Sequence, residues 1–236
     1  MKELSIIIPF YNEARTLGQL VEELSQIPSE TFAICLFVDD GSNDNSQTVL
    51  KSALEKVNFN YEILSKTNGG KASAVKFASS RLSTSHLLIL DADLELETSD
   101  IVRLWEVVLS GKSDIVFGYR HFLAQSSFTY RFSKGNRLIS NVYGILFNEV
   151  ITDIMCGLKL LPTSHLLECP FNFSRFAMEV EIPLQLWLKR LRPFEVQVGY
   201  TPRSREDGKV IGILDAFQVI FDMLFFRIRM SGRRLS

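Results

Sequence analysis

Residues 32–46 read FAICLFVDDGSNDNS. A continuous apolar run from Phe32 to Val38 stops abruptly at Asp39 and Asp40, and Gly41, Ser42, Asn43 and Asp44 follow. A run without polar alternation suits a strand buried on both faces, as in a parallel sheet covered by helices. Asp and Gly supply a strand-to-helix turn, and Asn43 or Asp44 can cap the helix beyond it. The same pattern repeats outward from this stretch. Residues 4–9, 61–64, 86–90 and 114–117 are further short apolar runs, and 194–198 reads as a strand late in the chain. Between them, residues 14–26 and 45–56 read as helices, with Leu17, Leu20, Val21 and Leu24 at helical spacing. Strand, helix, strand over residues 1–120 predicts an α/β fold, a Rossmann-like, mostly parallel sheet flanked by helices.

Beyond residue 120 the pattern changes. Residues 122–130 read as a polar, aromatic loop, 134–147 and 176–190 as helices, and 201–210 as a charged turn. Residues 211–230 form a last amphipathic helix carrying Phe217, Phe221, Leu224, Phe225 and Ile228, with Arg227, Arg229, Arg233 and Arg234 at its end. No Pro-, Gly- or Ser-rich linker divides the chain, so one domain over residues 1–210 is expected, followed by a basic helix over 211–236.

The composition excludes several classes. The chain has 236 residues, 46% hydrophobic and 22% charged, enough to build a sizeable core without disulfides or structural metal. Its 26 basic and 27 acidic residues argue against a protein that coats nucleic acid. The three cysteines show no CxxC spacing and the three histidines are scattered, which favours a reducing, cytoplasmic setting. The apolar core of residues 1–13 is too short for a signal peptide, and no stretch approaches the ~20 apolar residues of a membrane span.

Ligands of open α/β sheets collect at the carboxyl ends of the strands. Those ends carry Pro9-Phe10-Tyr11-Asn12-Glu13, Asp39-Asp40-Gly41-Ser42, Asn68-Gly69-Gly70-Lys71, Asp91-Ala92-Asp93-Leu94-Glu95 and Gly118-Tyr119-Arg120. Asp91 and Asp93, two residues apart at a strand end, repel each other unless a cation sits between them. Such hard oxygens suit Mg²⁺ or Mn²⁺ on a diphosphate. A flexible Gly69-Gly70 would admit the ligand, with Lys71 facing its phosphates. No GxGxxG follows the first strand, and no P-loop or GxSxG elbow occurs, so dinucleotide, kinase-like and serine-hydrolase chemistry are disfavoured.

Taken in order, SIIIPFYNE, FVDDGSNDNS, NGGKASAV, LDADLE, FGYR, TDIMCGLKLL and RSREDGKVIG resemble the family 2 glycosyltransferases of GT-A fold. Within them, the similarity is to the polyprenyl-phosphate (dolichyl-phosphate) mannose and glucose synthases. The resemblance implies a nucleotide-binding half over about 1–120 and an acceptor-binding half over about 121–210. It also implies that Pro9, Tyr11, Glu13 and Val38 line the nucleoside pocket, that Asp40 meets the base, and that Lys71 and Asp91 bind the nucleotide sugar. Asp93 and Glu95 would hold the metal; Glu95 stands where mannose synthases often have Gln. Cys156 stands for a common Ser or Thr, and Ala78 for a frequent Gly. Asp91, Asp93, Asp153, Arg120, Arg203 and Lys209 form the expected catalytic set; Asp153, Glu179 and Glu181 are expected to orient arginines or sugar hydroxyls, with Asp153 also a candidate base. Arg120, Arg131, Arg137 and Ser140 are expected at an acceptor phosphate, since the guanidinium fork binds phosphate bidentately.

The absence of a QxxRW motif disfavours processive chain extension. A lipid phosphate monoester is already anionic at neutral pH, so its attack needs positioning and charge stabilisation but no strong base. The expected reaction is metal-dependent, inverting transfer of one hexose from a nucleotide sugar of GDP-mannose or UDP-glucose type to a polyprenyl or dolichyl phosphate. The alternative is a hydroxyl acceptor in glycolipid or surface-polysaccharide synthesis. The acceptor implies peripheral contact at the cytoplasmic membrane face, through residues 134–147 or 211–230 or through a membrane-embedded partner.

Overall fold

The structure is a computed structural model that describes residues 3–121, 130–169, 178–202 and 213–233. Its elements run β1 (Leu4–Phe10), α1 (Leu17–Ser25), β2 (Ile34–Asp39), α2 (Ser46–Leu54), β3 (Tyr61–Ser65), α3 (Lys71–Ser79), β4 (His86–Ile89), α4 (Asp100–Leu109) and β5 (Val116–Arg120). Then follow α5 (Tyr130–Phe147), β6 (Lys159–Pro162), α6 (Thr163–Leu167), α7 (Met178–Leu188), β7 (Phe194–Val198) and α8 (Ile213–Arg233).

The strands form one seven-stranded sheet in the order β3-β2-β1-β4-β6-β5-β7. All pairings are parallel except the two made by β6, which runs against β4 and β5. Successive residues of β1 serve opposite faces, as the strand pleat requires. Ile6 and Ile8 join the core with Leu17, Leu20, Val21 and Leu24 of α1 and with α2 and α4. Ile7 joins the other core, with Ala74 and Val75 of α3 and with α5 to α8. Both faces are therefore covered, which is why the strands read as unbroken apolar runs.

Strand β6 is absent from the sequence-based expectation. It is four residues long, starts with Lys159 and ends with Pro162, so it offers no apolar run to recognise. It nevertheless lies in the middle of the sheet, between β4 and β5, so the second half of the chain is inserted into the first half's sheet and also extends it through β7. Strand β5 runs on to Arg120 rather than stopping at 117, because β7 pairs beside it through Arg120↔Val198. Helix α8 is partly core: Val219, Met223 and Phe226 are buried against the second cluster. Its opposite side leaves Phe217, Phe221, Phe225 and Ile228 exposed.

Candidate active site

The chain leaves β1 toward β2 and β3 on one side, then returns to place β4 on the other side of β1. Such a switch point opens a crevice at the carboxyl ends of the strands. The last β1–β4 pair is Ile7↔Ile89; Pro9, two residues on, has no N–H with which to continue that ladder. The crevice is a cavity of about 490 Å³ that gathers residues from the ends of β1, β2 and β4, the start of α3, the end of β5, the segment before β6, α7, and the residues after β7.

On the β1–β2 side the loops are joined by side chains bonding to backbone. Asn12 N donates to Ser42 Oγ (3.0 Å), Asn43 N to Asn12 Oδ1 (2.9 Å), and Glu13 N to Ser46 Oγ (2.8 Å). Asp40 is buried, and its carboxylate accepts from Lys66 Nζ (2.7 Å), Gly69 N (3.0 Å) and Gly70 N (2.6 Å). These bonds fold the 66–70 loop across the end of β2. Gly41, at φ +79°, permits the approach: a Cβ there would lie 2.8 Å from Asn68 N. Pro9 and Tyr11 line the cavity, Tyr11 with 45% of its surface exposed.

The floor is charged. Lys71, the first residue of α3, meets Asp91 Oδ1 at 2.5 Å and Glu179 Oε1 of α7 at 2.7 Å. Burial works against the Lys71 charge, but the two carboxylates outweigh it and hold its pKa well above the ordinary lysine value. Gly157 backs onto Asp91 so closely that a Cβ would fall 2.2 Å from Asp91 Oδ2. Beyond it, Asp93 Oδ1 accepts from Glu95 N at 3.1 Å, and Glu95 Oε2 accepts from Tyr200 Oη at 2.8 Å. The Arg120 guanidinium sits 5.0 Å over the Tyr200 ring and forks onto Asp153, Nε to Oδ2 at 2.6 Å and Nη2 to Oδ1 at 2.9 Å. Burial opposes the Arg120 charge too; Asp153 more than compensates and keeps it cationic. Beside this pair the Cys156 thiol is pushed up to about 11 by burial and by Asp153, so it stays neutral.

The cavity thus brings together Pro9, Tyr11, Asp40, Lys71, Asp91, Asp93, Glu95 and Arg120. Other expected residues stand apart from its lining. Val38 is fully buried in the core, and Asp153 lies behind Arg120 with 2% exposure. Glu13 is half-buried beside α2, where its Oε2 and carbonyl receive the Thr16 hydroxyl. Ser140 is buried, and its Oγ accepts from Ile154 N at 3.1 Å. Arg137 is exposed on α5. Arg203 and Lys209 lie outside the described residues, as does the side chain of Arg131.

Tyr200, Gly157, Met155 and Lys66 are not singled out by the sequence reading, whereas Asn68 belongs to the expected Asn68-Gly69-Gly70-Lys71 segment and does line the cavity. Tyr200 follows the end of β7, the same signal that marks the other strand-end residues. Gly157 stood inside a quoted motif, but only its contact with Asp91 reveals its part. For a metal, the described residues contain no ready cluster of three His, Cys, Asp or Glu side chains. Asp93 and Glu95 on one cavity wall do match the habit of Mg²⁺, which takes one or two carboxylates and completes its shell with substrate phosphates and water.

The model of a family described as "Glycosyl transferase family 2" matches residues 5–173. The undecaprenyl-phosphate 4-deoxy-4-formamido-L-arabinose transferase of Yersinia pestis is 34% identical over 228 residues, which are 95% of this chain and 67% of that protein. The glycosyltransferase AglJ of Haloferax volcanii is 22% identical over 228 residues, covering 96% of this chain and 72% of its own. Among solved structures, the glucosyl-3-phosphoglycerate synthase of Mycobacterium tuberculosis in complex with Mn²⁺, UDP and phosphoglyceric acid superposes with a TM-score of 0.72 at 14% identity. That match covers 96% of this chain and 78% of that one. At that identity the likeness concerns the fold, which is the GT-A arrangement.

Proposed function

The chain belongs to glycosyl transferase family 2, and from that premise we propose that it moves a single hexose from a nucleotide sugar to a polyprenyl or dolichyl phosphate, with inversion at the anomeric carbon. The observation that carries this reading is the single cavity at the switch point, where Asp91, Asp93 and Glu95 face Lys71 and Arg120. Carboxylates and cations in one crevice suit a diphosphate bridged to metal on one side and paired with ammonium and guanidinium on the other. The Yersinia pestis relative, named for undecaprenyl phosphate, supports a lipid-phosphate acceptor. The Mn²⁺ and UDP of the solved neighbour support a nucleotide donor and a divalent metal.

Pro9 and Tyr11 bound the nucleoside, and Asp40 sets the loop that closes over it. Lys71 exchanges its carboxylate partners for the donor diphosphate. Asp93 and Glu95 would hold Mg²⁺ or Mn²⁺, which would supply positive charge to offset that of the donor diphosphate. An acceptor phosphate oxygen attacks the anomeric carbon, the bond from that carbon to the diphosphate oxygen breaks, and the nucleoside diphosphate leaves with the electron pair. The acceptor is already ionised, so the step requires no strong base. In keeping with this, both oxygens of Asp153 are spent on Arg120. A hydroxyl acceptor would need such a base.

The lipid is met at the membrane surface. No described helix is long and apolar enough to cross a membrane. Helix α8 instead presents Phe217, Phe221, Leu224, Phe225 and Ile228 outward, with Arg229 exposed among them. Arg227 is otherwise engaged: its Nε donates to Leu146 O of α5 at 2.8 Å. The face is suited to the cytoplasmic leaflet, with anionic lipid opposite its basic end.

The test is a donor panel of GDP-mannose, UDP-glucose, UDP-galactose and UDP-GlcNAc with a short polyprenyl phosphate, with Mn²⁺ or EDTA. Formation of a polyprenyl-phosphate hexose with one donor, lost in EDTA, is expected. Transfer only to a hydroxyl acceptor, or full activity in EDTA, would overturn the respective part of the reading.

A further inference from the structure

Lys159 opens β6 at the centre of the sheet, paired across to Ile89 of β4 and Phe117 of β5. Both neighbours belong to the apolar core, and Lys159 itself is 1% exposed. A branched aliphatic residue would fill such a position without the penalty of a buried charge. Among the described residues Lys159 forms no ion pair with a carboxylate. Its Nζ donates instead to Ile154 O (3.1 Å) and to Cys156 O, and lies 5.1 Å from the centre of the Phe117 ring. Three donors thus meet two carbonyls and an aromatic face.

Both carbonyls belong to the turn over residues 153–156, closed by Cys156 N donating to Asp153 O at 3.1 Å. That turn holds the reacting end of the cavity. Asp153 fixes the Arg120 side chain and also accepts from Arg120 N at 3.2 Å. Met155 and Gly157 line the cavity, Gly157 directly against Asp91. We propose that Lys159 is a positioning residue for glycosyl transfer: its buried ammonium clasps the 153–157 segment and thereby fixes Arg120 and Asp91 at the reacting end of the cavity. The proposal rests on the reading of function above. Burial lowers the pKa of Lys159, while the charges of Glu179 and Asp153 oppose the fall.

The experiment compares wild type with Lys159→Met, Lys159→Gln and Lys159→Arg in the full chain. It reads kcat and KM for donor and acceptor, UDP and GDP affinity by calorimetry, and cooperative thermal unfolding. Methionine keeps the bulk without donors, glutamine keeps two N–H donors without charge, and arginine keeps both charge and donors. We expect kcat of Lys159→Met to fall tenfold or more with nucleotide affinity within twofold of wild type, a smaller loss for glutamine, and substantial recovery with arginine. Unchanged kcat per folded molecule in the methionine or glutamine variant overturns the proposal. So does failure of both to fold, since the lysine would then serve stability alone. A wild-type chain that transfers from no donor breaks the reading of function itself, and this inference falls with it.

Discussion

On the β1–β2 side of the cavity, Asp40 is held by Lys66 and by the backbone N–H groups of Gly69 and Gly70, all within 30 residues of it. On the β4–β5 side, charged side chains meet across distant elements: Lys71 reaches Glu179, 108 residues away, and Arg120 is forked by a buried Asp153. Around one short-range ion pair, Lys66–Asp40, the first side is a set of loops held mainly by hydrogen bonds to backbone N–H groups, each worth about 1 kcal/mol net. If one is lost, the loop can shift and water can take its place. The second side is a chain of ion pairs, partly exposed to the cavity where Lys71 meets Asp91 and Glu179 and buried where Arg120 meets Asp153. Removing one partner of the buried pair leaves an uncompensated charge that water cannot readily relieve. Two walls of one cavity therefore differ in what a single substitution does to them.

The largest effect is expected at Asp93, the proposed metal ligand on the cavity wall. Asp93→Asn should lower turnover by about a hundredfold or more while the fold stays intact. An undiminished asparagine variant would remove metal and diphosphate from this wall. Next comes the buried pair. Asp153→Ala should cost about 3–5 kcal/mol in denaturant unfolding, whereas Asp40→Asn should cost about 1–3 kcal/mol and register chiefly as weaker nucleotide binding. Equal losses for the two variants would erase the contrast. A smaller change is expected from Gly157→Ala, whose methyl would press on the Asp91 carboxylate. Overpacking of this kind costs about 1–3 kcal/mol, and kcat should fall more than donor affinity. Wild-type kinetics would show that Asp91 moves freely away from the 153–157 segment. The smallest effect on stability belongs to the outer face of α8. Phe221→Ser with Phe225→Ser should change unfolding by no more than about 0.5 kcal/mol yet weaken co-sedimentation with anionic liposomes. Met223→Ala on the buried face should cost about 2–5 kcal/mol. Equal recovery of wild type in the supernatant with and without vesicles would assign membrane attachment to a separate partner.

Much of the β1–β2 side was legible because its parts are contiguous in the chain. Pro9 and Tyr11 follow one apolar run and Asp40 follows the next, so reading strand ends finds them without knowledge of packing. Asp91, Asp93 and Glu95 were legible for the same reason. The pairings on the other side were not, because ion pairs between distant elements leave no local spacing. Asp153 and Glu179 are legible as carboxylates that orient arginines or sugar hydroxyls, but nothing local announces that Glu179 meets Lys71 or that Asp153 is committed to Arg120. Lys159 illustrates the limit: no local pattern marks it, and only its place between β4 and β5 makes it a core residue.

The sequence by itself determined the layered α/β architecture and pointed to the strand ends and the acidic pair, which the fold gathers into one cavity. Each follows from interactions between near neighbours: an apolar run must be covered, a glycine permits a turn, and adjacent carboxylates demand a cation. Only the tertiary structure decided that β6 enters the sheet in reverse, that α8 divides its apolar residues between core and surface, and which carboxylates are already engaged. Those outcomes depend on which distant groups share a low-dielectric interior, where an ion pair forms only if the fold brings its members within reach.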